Sequence, residues 1–563
     1  MRNPFITIAI LAASASAFAN DKAARCEDLR LAPAPQVDIA VKIASGQPMP
    51  RQKMVNASSA PLSARDAANA KLKEALGFEI AIMEQGRYHS AIPLHNTENY
   101  AHHAPNPVQR VADNAVSTFS IDVDTGSYAN VRRYLNDGTL PPADAVRIEE
   151  IVNYFHYDYA LPQDGKPFAV HTQVVDSPWQ ANAKLLKIAL QAADLAKDKL
   201  PPANLVFLID TSGSMDSDDK LGLAQQTVCL FAAELRKEDT LTLITYAGHV
   251  QTLLEPTAGD EFERIYKALQ QLSAHGSTAG ESAIRMAYDA AEKHFKKGGI
   301  NRILLATDGD FNVGVSDTEA LKTLVADKRN AGISLSTLGF GSGNYNDELM
   351  EQIADVGDGN YSYIDSLHEA KKVLVRQLSS TLATIARDVK IQIEFNPATV
   401  REYRLVGYEN RVLREEDFNN DQVDAGDIGA GHRVTAFYEL IPAGEKGWLD
   451  DKRYQPAPAA SGNGGEYAYI KLRYKTPGND ASQLLETPVP AQSLALDQAD
   501  TDTRFAIAAA AYAQALKGGA YNGAMDWAGI HRLAEAAQGD DRFGERRELL
   551  KLLEKAQSLS AKK

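Results

Sequence analysis

Leu205-Val-Phe-Leu-Ile209 runs apolar without a break and stops at Asp210. An uninterrupted apolar run of strand length is the pattern of a strand covered on both faces, as in a parallel sheet flanked by helices. The residues that follow repeat the theme as far as about Ala386. Their spacing predicts helices over Lys220–Leu235, Phe262–Leu272, Glu281–Phe295, Leu321–Ala331 and Asp347–Ala354. Strands are predicted at Thr240–Tyr246, Ile303–Ala306, Ile333–Leu338 and Tyr361–Ile364, and Val250–Leu254 pairs with its predecessor across a short Ala247-Gly248 turn. Such alternation predicts an α/β fold, a mostly parallel sheet with helices on both faces.

Ligands of such sheets bind beyond the carboxyl ends of the strands, and there the sequence places chemistry. Asp210-Thr-Ser212-Gly-Ser214 follows the first apolar strand, and Thr307-Asp308-Gly309 follows Ile303–Ala306 in the same way. Between them Gly276-Ser277-Thr278-Ala279-Gly280 opens a helix. Together these loops offer hydroxyls and carboxylates with no His and no Cys, a set suited to Mg²⁺, Mn²⁺ or Ca²⁺ rather than zinc.

The order Asp-x-Ser-x-Ser, a separate Thr and a Thr-Asp-Gly Asp resembles the metal-ion-dependent adhesion site of von Willebrand factor type A (VWA) domains. Asp210, Ser212 and Ser214 match its first loop, Thr278 its second and Asp308 its third. The resemblance implies a Rossmann-like sheet of six strands, one short and antiparallel, the place that Val250–Leu254 fits. It also implies that the hydroxyls of Ser212, Ser214 and Thr278 touch the ion directly, while Asp210 and Asp308 act largely through water and by aiming those hydroxyls. One open coordination position is then left for a Glu or Asp of a protein partner. His275 and Glu281 depart from the small residues common around the site Thr, and Glu281 adds negative charge nearby. Ser117–Arg133, Arg147–Phe155, Tyr403–Arg411 and Asp424–His432 look like the flanking segments of exported bacterial VWA proteins of the YfbK type.

The flanks divide by composition. Met1–Ala19 has the charged start, apolar middle and Ala17-Phe18-Ala19 cleavage form of a secretory signal peptide. Residues 20–105 read as an Ala-, Pro-, Ser- and Gln-rich linker with one helical patch, Ala64–Leu76, and a cluster of His89, His95, His102 and His103 whose spacing fits no fixed metal-ligand geometry and reads as solvated linker rather than as a metal site. Residues 106–200 read as an α+β segment, 201–386 as the VWA domain, 387–500 as a separate β-rich domain of sandwich type and 501–563 as helical, with Asp502–Leu516 and Trp527–Leu553 as its helices. Asp122 and Asp124 end a predicted strand, and they read as a cap for the next helix rather than as catalytic carboxylates.

The formal net charge is −15, and cleavage after Ala19 removes only Arg2, giving −15 − 1 = −16. Nucleic acid is disfavoured as a partner on that balance. Two cysteines allow one bridge at most. Cys26 reads as a spare thiol in a flexible tail, preceded by Arg25 rather than by the small residue of a lipobox, and Cys229 reads as core. The protein is therefore expected in the periplasm or secreted, without a lipid anchor. Gly339-Phe-Gly341-Ser-Gly343 has GxGxG rather than dinucleotide spacing and reads as a turn, with Asn344–Asp347 as a helix cap. Ser217-Asp-Asp-Lys220 and Asp417–Asp421 imitate a catalytic Ser-x-x-Lys and a calcium loop, but in polar turn contexts. The leading expectation is a metal-dependent binding protein of the cell envelope, not an enzyme. Two others remain: a metal-dependent hydrolase with His275 as the base, and an envelope protein whose metal only staples loops.

Overall fold

The computed structural model describes residues 21–31, 97–121, 124–276, 280–309, 318–454, 464–479 and 481–562. The signal segment, Ala64–Leu76, His89, His95, Asp122 and Thr278 lie outside them.

In chain order, helix α1 occupies residues 21–27. Strands β1 (Gln109–Arg110) and β2 (Val116–Ser120) precede helices α2 (Gly126–Asn136) and α3 (Ile148–Asn153). Strands β3 (Phe168–Asp176) and β4 (Lys184–Ala192) follow. The α/β unit then runs β5 (Ala203–Asp210), α4 (Leu223–Ala233), β6 (Thr240–Tyr246), β7 (Val250–Ala258), α5 (Phe262–Leu269), α6 (Gly280–Lys293), β8 (Ile300–Thr307), α7 (Thr318–Asn330), β9 (Ser334–Phe340), α8 (Asp347–Val356) and β10 (Tyr361–Ile364).

These six strands form one sheet in the order β10-β9-β8-β5-β6-β7, parallel throughout except for β7, which runs antiparallel to β6. The apolar run of β5 explains the layering. Leu205, Phe207 and Ile209 join the core beneath α4, whereas Val206 and Leu208 join the core beneath α6, and all five are fully buried. Successive strand side chains point to opposite faces, so a strand covered on both sides has no position for a polar residue.

After α9 (Leu367–Lys371) and α10 (Leu378–Leu382) come β11 (Thr384–Phe395), β12 (Val400–Val406), β13 (Val412–Leu413), β14 (Ile428–Gly429), β15 (Arg433–Pro442), β16 (Glu466–Lys475) and β17 (Gln483–Pro490). The expectation of a separate β domain after Arg387 is corrected here. One sheet has the order β1-β12-β15-β4-β3 and the other β13-β2-β11-β16-β17, with β14 on β11, so both mix strands from before and after the α/β unit. Ile188 and Leu190 of β4 pack with Ile391 and Ile393 of β11, Tyr438 of β15 and Leu472 of β16 in one core. The α/β unit is thus inserted into a sandwich, and its two ends meet where Leu200, Ala383 and Ala430 cluster.

The opposite face of the five-stranded sheet is covered by α2, α3 and the terminal helices α11 (Thr501–Leu516), α12 (Trp527–Ala536) and α13 (Glu545–Ser560). The helical stretch expected over Trp527–Leu553 is two helices, because Gly539 and Gly544 adopt φ +58° and +78° between them. The N-cap position of α2 is Thr125, which makes no side-chain cap bond, and the Oδ1 of Asp124 accepts from the Tyr361 amide of edge strand β10 at 2.9 Å.

Candidate functional site

The Asp-x-Ser-x-Ser loop leaves β5 at its carboxyl end, between β6 and β8. Asp210 is fully buried there, and its carboxylate is aimed by its neighbours. Oδ1 accepts from the Ser212 amide at 2.9 Å, while Oδ2 accepts from the Thr307 hydroxyl at 2.8 Å and the Tyr246 hydroxyl at 3.2 Å. Burial is the main reason its pKa is pushed up to about 6, and Asp308 adds repulsion. Such a carboxylate is short of positive charge.

The Ser212 and Ser214 hydroxyl oxygens lie 3.0 Å apart, with Ser214 facing solvent. The second loop is laced to the first by backbone: Gly213 N donates to Gly276 O at 3.0 Å and His275 N to Thr211 O at 2.7 Å. Gly276 adopts φ +79°, a left-handed conformation that favours glycine. From β8, Thr307 links the third loop to the first, since its hydroxyl also accepts from Gly309 N at 3.2 Å. Asp210, Ser212, Ser214 and Asp308 are therefore carried on adjacent strand ends, and Thr278 lies two residues beyond the described part of its loop. Among the described residues no group of three or more His, Cys, Asp or Glu side chains gathers as a metal site. The candidate set consists of two carboxylates and hydroxyls, all oxygen, which is the donor chemistry of a hard divalent cation.

Asp308, also fully buried, receives the Lys220 ammonium at 3.0 Å and the Asn344 side-chain amide at 3.1 Å, both on Oδ2. Sequence reasoning missed both. Lys220 stood in a Ser-x-x-Lys spacing, and Asn344 in the Asn344–Asp347 helix cap, in which Asn346 is the capping residue. Their only local sign is position at the sheet's carboxyl edge. The two departures around the site Thr resolve differently. Glu281 is paired with Arg285 one helical turn on, at 2.9 Å. The exposed His275 ring binds the Ser273 carbonyl at 3.0 Å through Nδ1, which must be the donor because a carbonyl only accepts.

Cys26 is not a spare thiol. It is bonded to Cys229 of α4, with Cα atoms 5.4 Å apart and both residues fully buried.

Residues 204–376 match the family model of the von Willebrand factor type A domain, and residues 94–187 match one described as von Willebrand factor, so the α/β unit is a VWA domain. Residues 380–559 match the model described as "Uncharacterized protein YfbK, C-terminal". The chain is 46% identical over 507 residues to a protein of Escherichia coli (strain K12) printed as "Uncharacterized protein YfbK", covering 88% of this chain and 87% of that protein. It belongs to the YfbK family of VWA-domain proteins. Over 33% of its length it is 26% identical to the mouse inter alpha-trypsin inhibitor heavy chain 4, of which it covers 22%. Among solved structures, the von Willebrand factor type A protein from Catenulispora acidiphila matches 68% of this chain and 89% of its own at 15% identity, with a TM-score of 0.37.

Proposed function

We propose that this protein binds a divalent cation, Mg²⁺ or alternatively Mn²⁺ or Ca²⁺, at Asp210, Ser212, Ser214, Thr278 and Asp308, and through it takes an acidic side chain of a protein partner in the cell envelope. The observation that carries the reading is the buried, hydrogen-bonded carboxylate of Asp210 set against the Ser212–Ser214 hydroxyl pair, with Asp308 at the end of the neighbouring strand. Neutral hydroxyls are the direct donors, so the ion keeps its attraction for a carboxylate. Asp210 and Asp308 hold those hydroxyls and the bound waters in place. A binding role, rather than catalysis, accords with a site of hydroxyls and carboxylates.

An envelope location is supported by two features. Met1–Ala19 has the form of an export signal, and a buried disulfide suits an oxidising compartment. The bridge occupies the Cys26 sulfur that a lipid thioether would need. No helix among the described residues is long and apolar enough to cross a membrane.

A ligand that binds only the folded state stabilises it by about 2.7 kcal/mol at a hundredfold excess over its dissociation constant. Mg²⁺ or Mn²⁺ should therefore raise the melting temperature of the wild type and leave Asp210→Ala and Asp308→Ala almost unmoved. An equal response in those variants rejects the assignment. Partner capture from envelope extract should disappear with chelator and with Thr278→Ala.

A further inference from the structure

We propose that Lys220 is a built-in cation of this site, held on Asp308 to set the charge that the bound metal presents to a carboxylate. The inference rests on the metal reading above and concerns how strongly the site takes up its ion.

Lys220 lies in a π-type turn over Asp218–Gly222, directly before α4. Such turns often mark functional positions. Its side chain is only 12% exposed, and its ammonium donates to Asp308 Oδ2 and to Asn344 Oδ1, each at 3.0 Å. Asn344 in turn donates to the same carboxylate oxygen, so lysine, amide and carboxylate close a triangle. The stem has a fitted bed. Gly341, at φ +72°, passes so close that a Cβ there would lie 2.3 Å from Lys220 Cγ. A freely moving surface lysine needs neither a shared amide nor a glycine beneath it.

The charge count shows what this arrangement does. Asp210 and Asp308 contribute −2, and Lys220 brings the set to −2 + 1 = −1. A divalent ion then leaves the loaded site at +1 rather than 0. The metal is held less tightly, and the loaded site attracts a carboxylate more strongly than a neutral one would. That local charge matters in a chain whose net charge is −15 and whose site is rimmed by the exposed Asp216, Asp218 and Asp219.

Titration calorimetry of the full mature chain with MgCl₂ or MnCl₂ alone tests this. Lys220→Met keeps the stem and removes the charge, and it should bind the ion about tenfold more tightly, the scale on which one close charge acts. Lys220→Arg keeps the charge and should stay near wild type, with circular dichroism confirming that both variants fold. Wild-type protein that binds the ion alongside a Lys220→Met variant of equal or weaker affinity overturns this inference alone. Wild-type protein that takes up no ion overturns the metal reading and this inference with it.

Discussion

A single half-buried histidine can tie stability to pH. His432 sits at the turn into β15, and its Nδ1 accepts from the Gly429 amide at 3.4 Å, which requires a neutral ring. Burial, with the Arg433 and Arg302 guanidinium charges nearby, pushes its pKa down to about 4. An unfolded histidine titrates near 6.5. Below that value the unfolded chain therefore takes up a proton that the folded chain refuses. Stability from this group is full above about pH 6.5 and is lost as pH falls toward 4. Replacing His432 by Asn should make the difference in unfolding free energy between pH 7 and pH 5 smaller by about 2 kcal/mol. Urea titrations at the two pH values measure it, and parallel losses in wild type and variant would show that His432 is not the sensor.

At the scale of elements, α1 shows how a short segment outside any sheet is held. Its Cys26 is bonded to Cys229 on α4, and Leu29 is buried in the same core. Arg25 pairs with Glu263 on α5 and stacks over the Tyr266 ring at 4.5 Å, while the Gln226 side chain donates to the Glu27 and Leu29 carbonyls. Loss of the bridge should cost about 2–4 kcal/mol. Dithiothreitol should therefore lower the melting temperature of the wild type but not that of a Cys26→Ser/Cys229→Ser variant, and an unchanged wild-type melt would mean the bridge adds nothing. The same element marks where sequence reading stops. A strand such as Leu205–Ile209 announces itself because both its faces are buried, and the strand ends then place Asp210 and Asp308. Apolar periodicity reports which face of an element is covered, not what covers it. A cysteine in a polar stretch 203 residues from its partner carries no local trace of the bond. The Lys220–Asp308 contact was hidden for the same reason.

For the whole molecule the decisive fact is interleaving. In one sheet β4 lies between β3 and β15, and in the other β2 pairs with β11. A chain cut to residues 380–563 keeps β11–β17 but loses β1–β4. The antiparallel partners Val116–Ser120 of β11 and Lys184–Gln191 of β15 go with them. The sandwich core then loses Phe119, Ile188 and Leu190, and the strand edges left open are templates for aggregation. The VWA unit has the reverse character. All six strands of its sheet lie within its own span, and its ends meet at Leu200 and Ala383. Its ties to the rest are a disulfide from α1, an apolar contact of Ala129 with Tyr345, Tyr361 and Tyr363, and ion pairs in which Asp365 and Glu369 are buried against Arg132 and Asp347 against Arg147. Cutting these contacts returns the carboxylates to water rather than stranding them, because the arginine-bearing layer leaves as a body. Residues 200–383 should therefore fold alone, at a melting temperature lowered by loss of the Cys26–Cys229 bridge, and keep the Mg²⁺-dependent rise. Residues 380–563 alone should give collapsed amide dispersion and no cooperative melt, and linking residues 97–200 to them should restore both. A dispersed spectrum and a cooperative transition from residues 380–563 alone would show that the C-terminal strands can close a core without β1–β4.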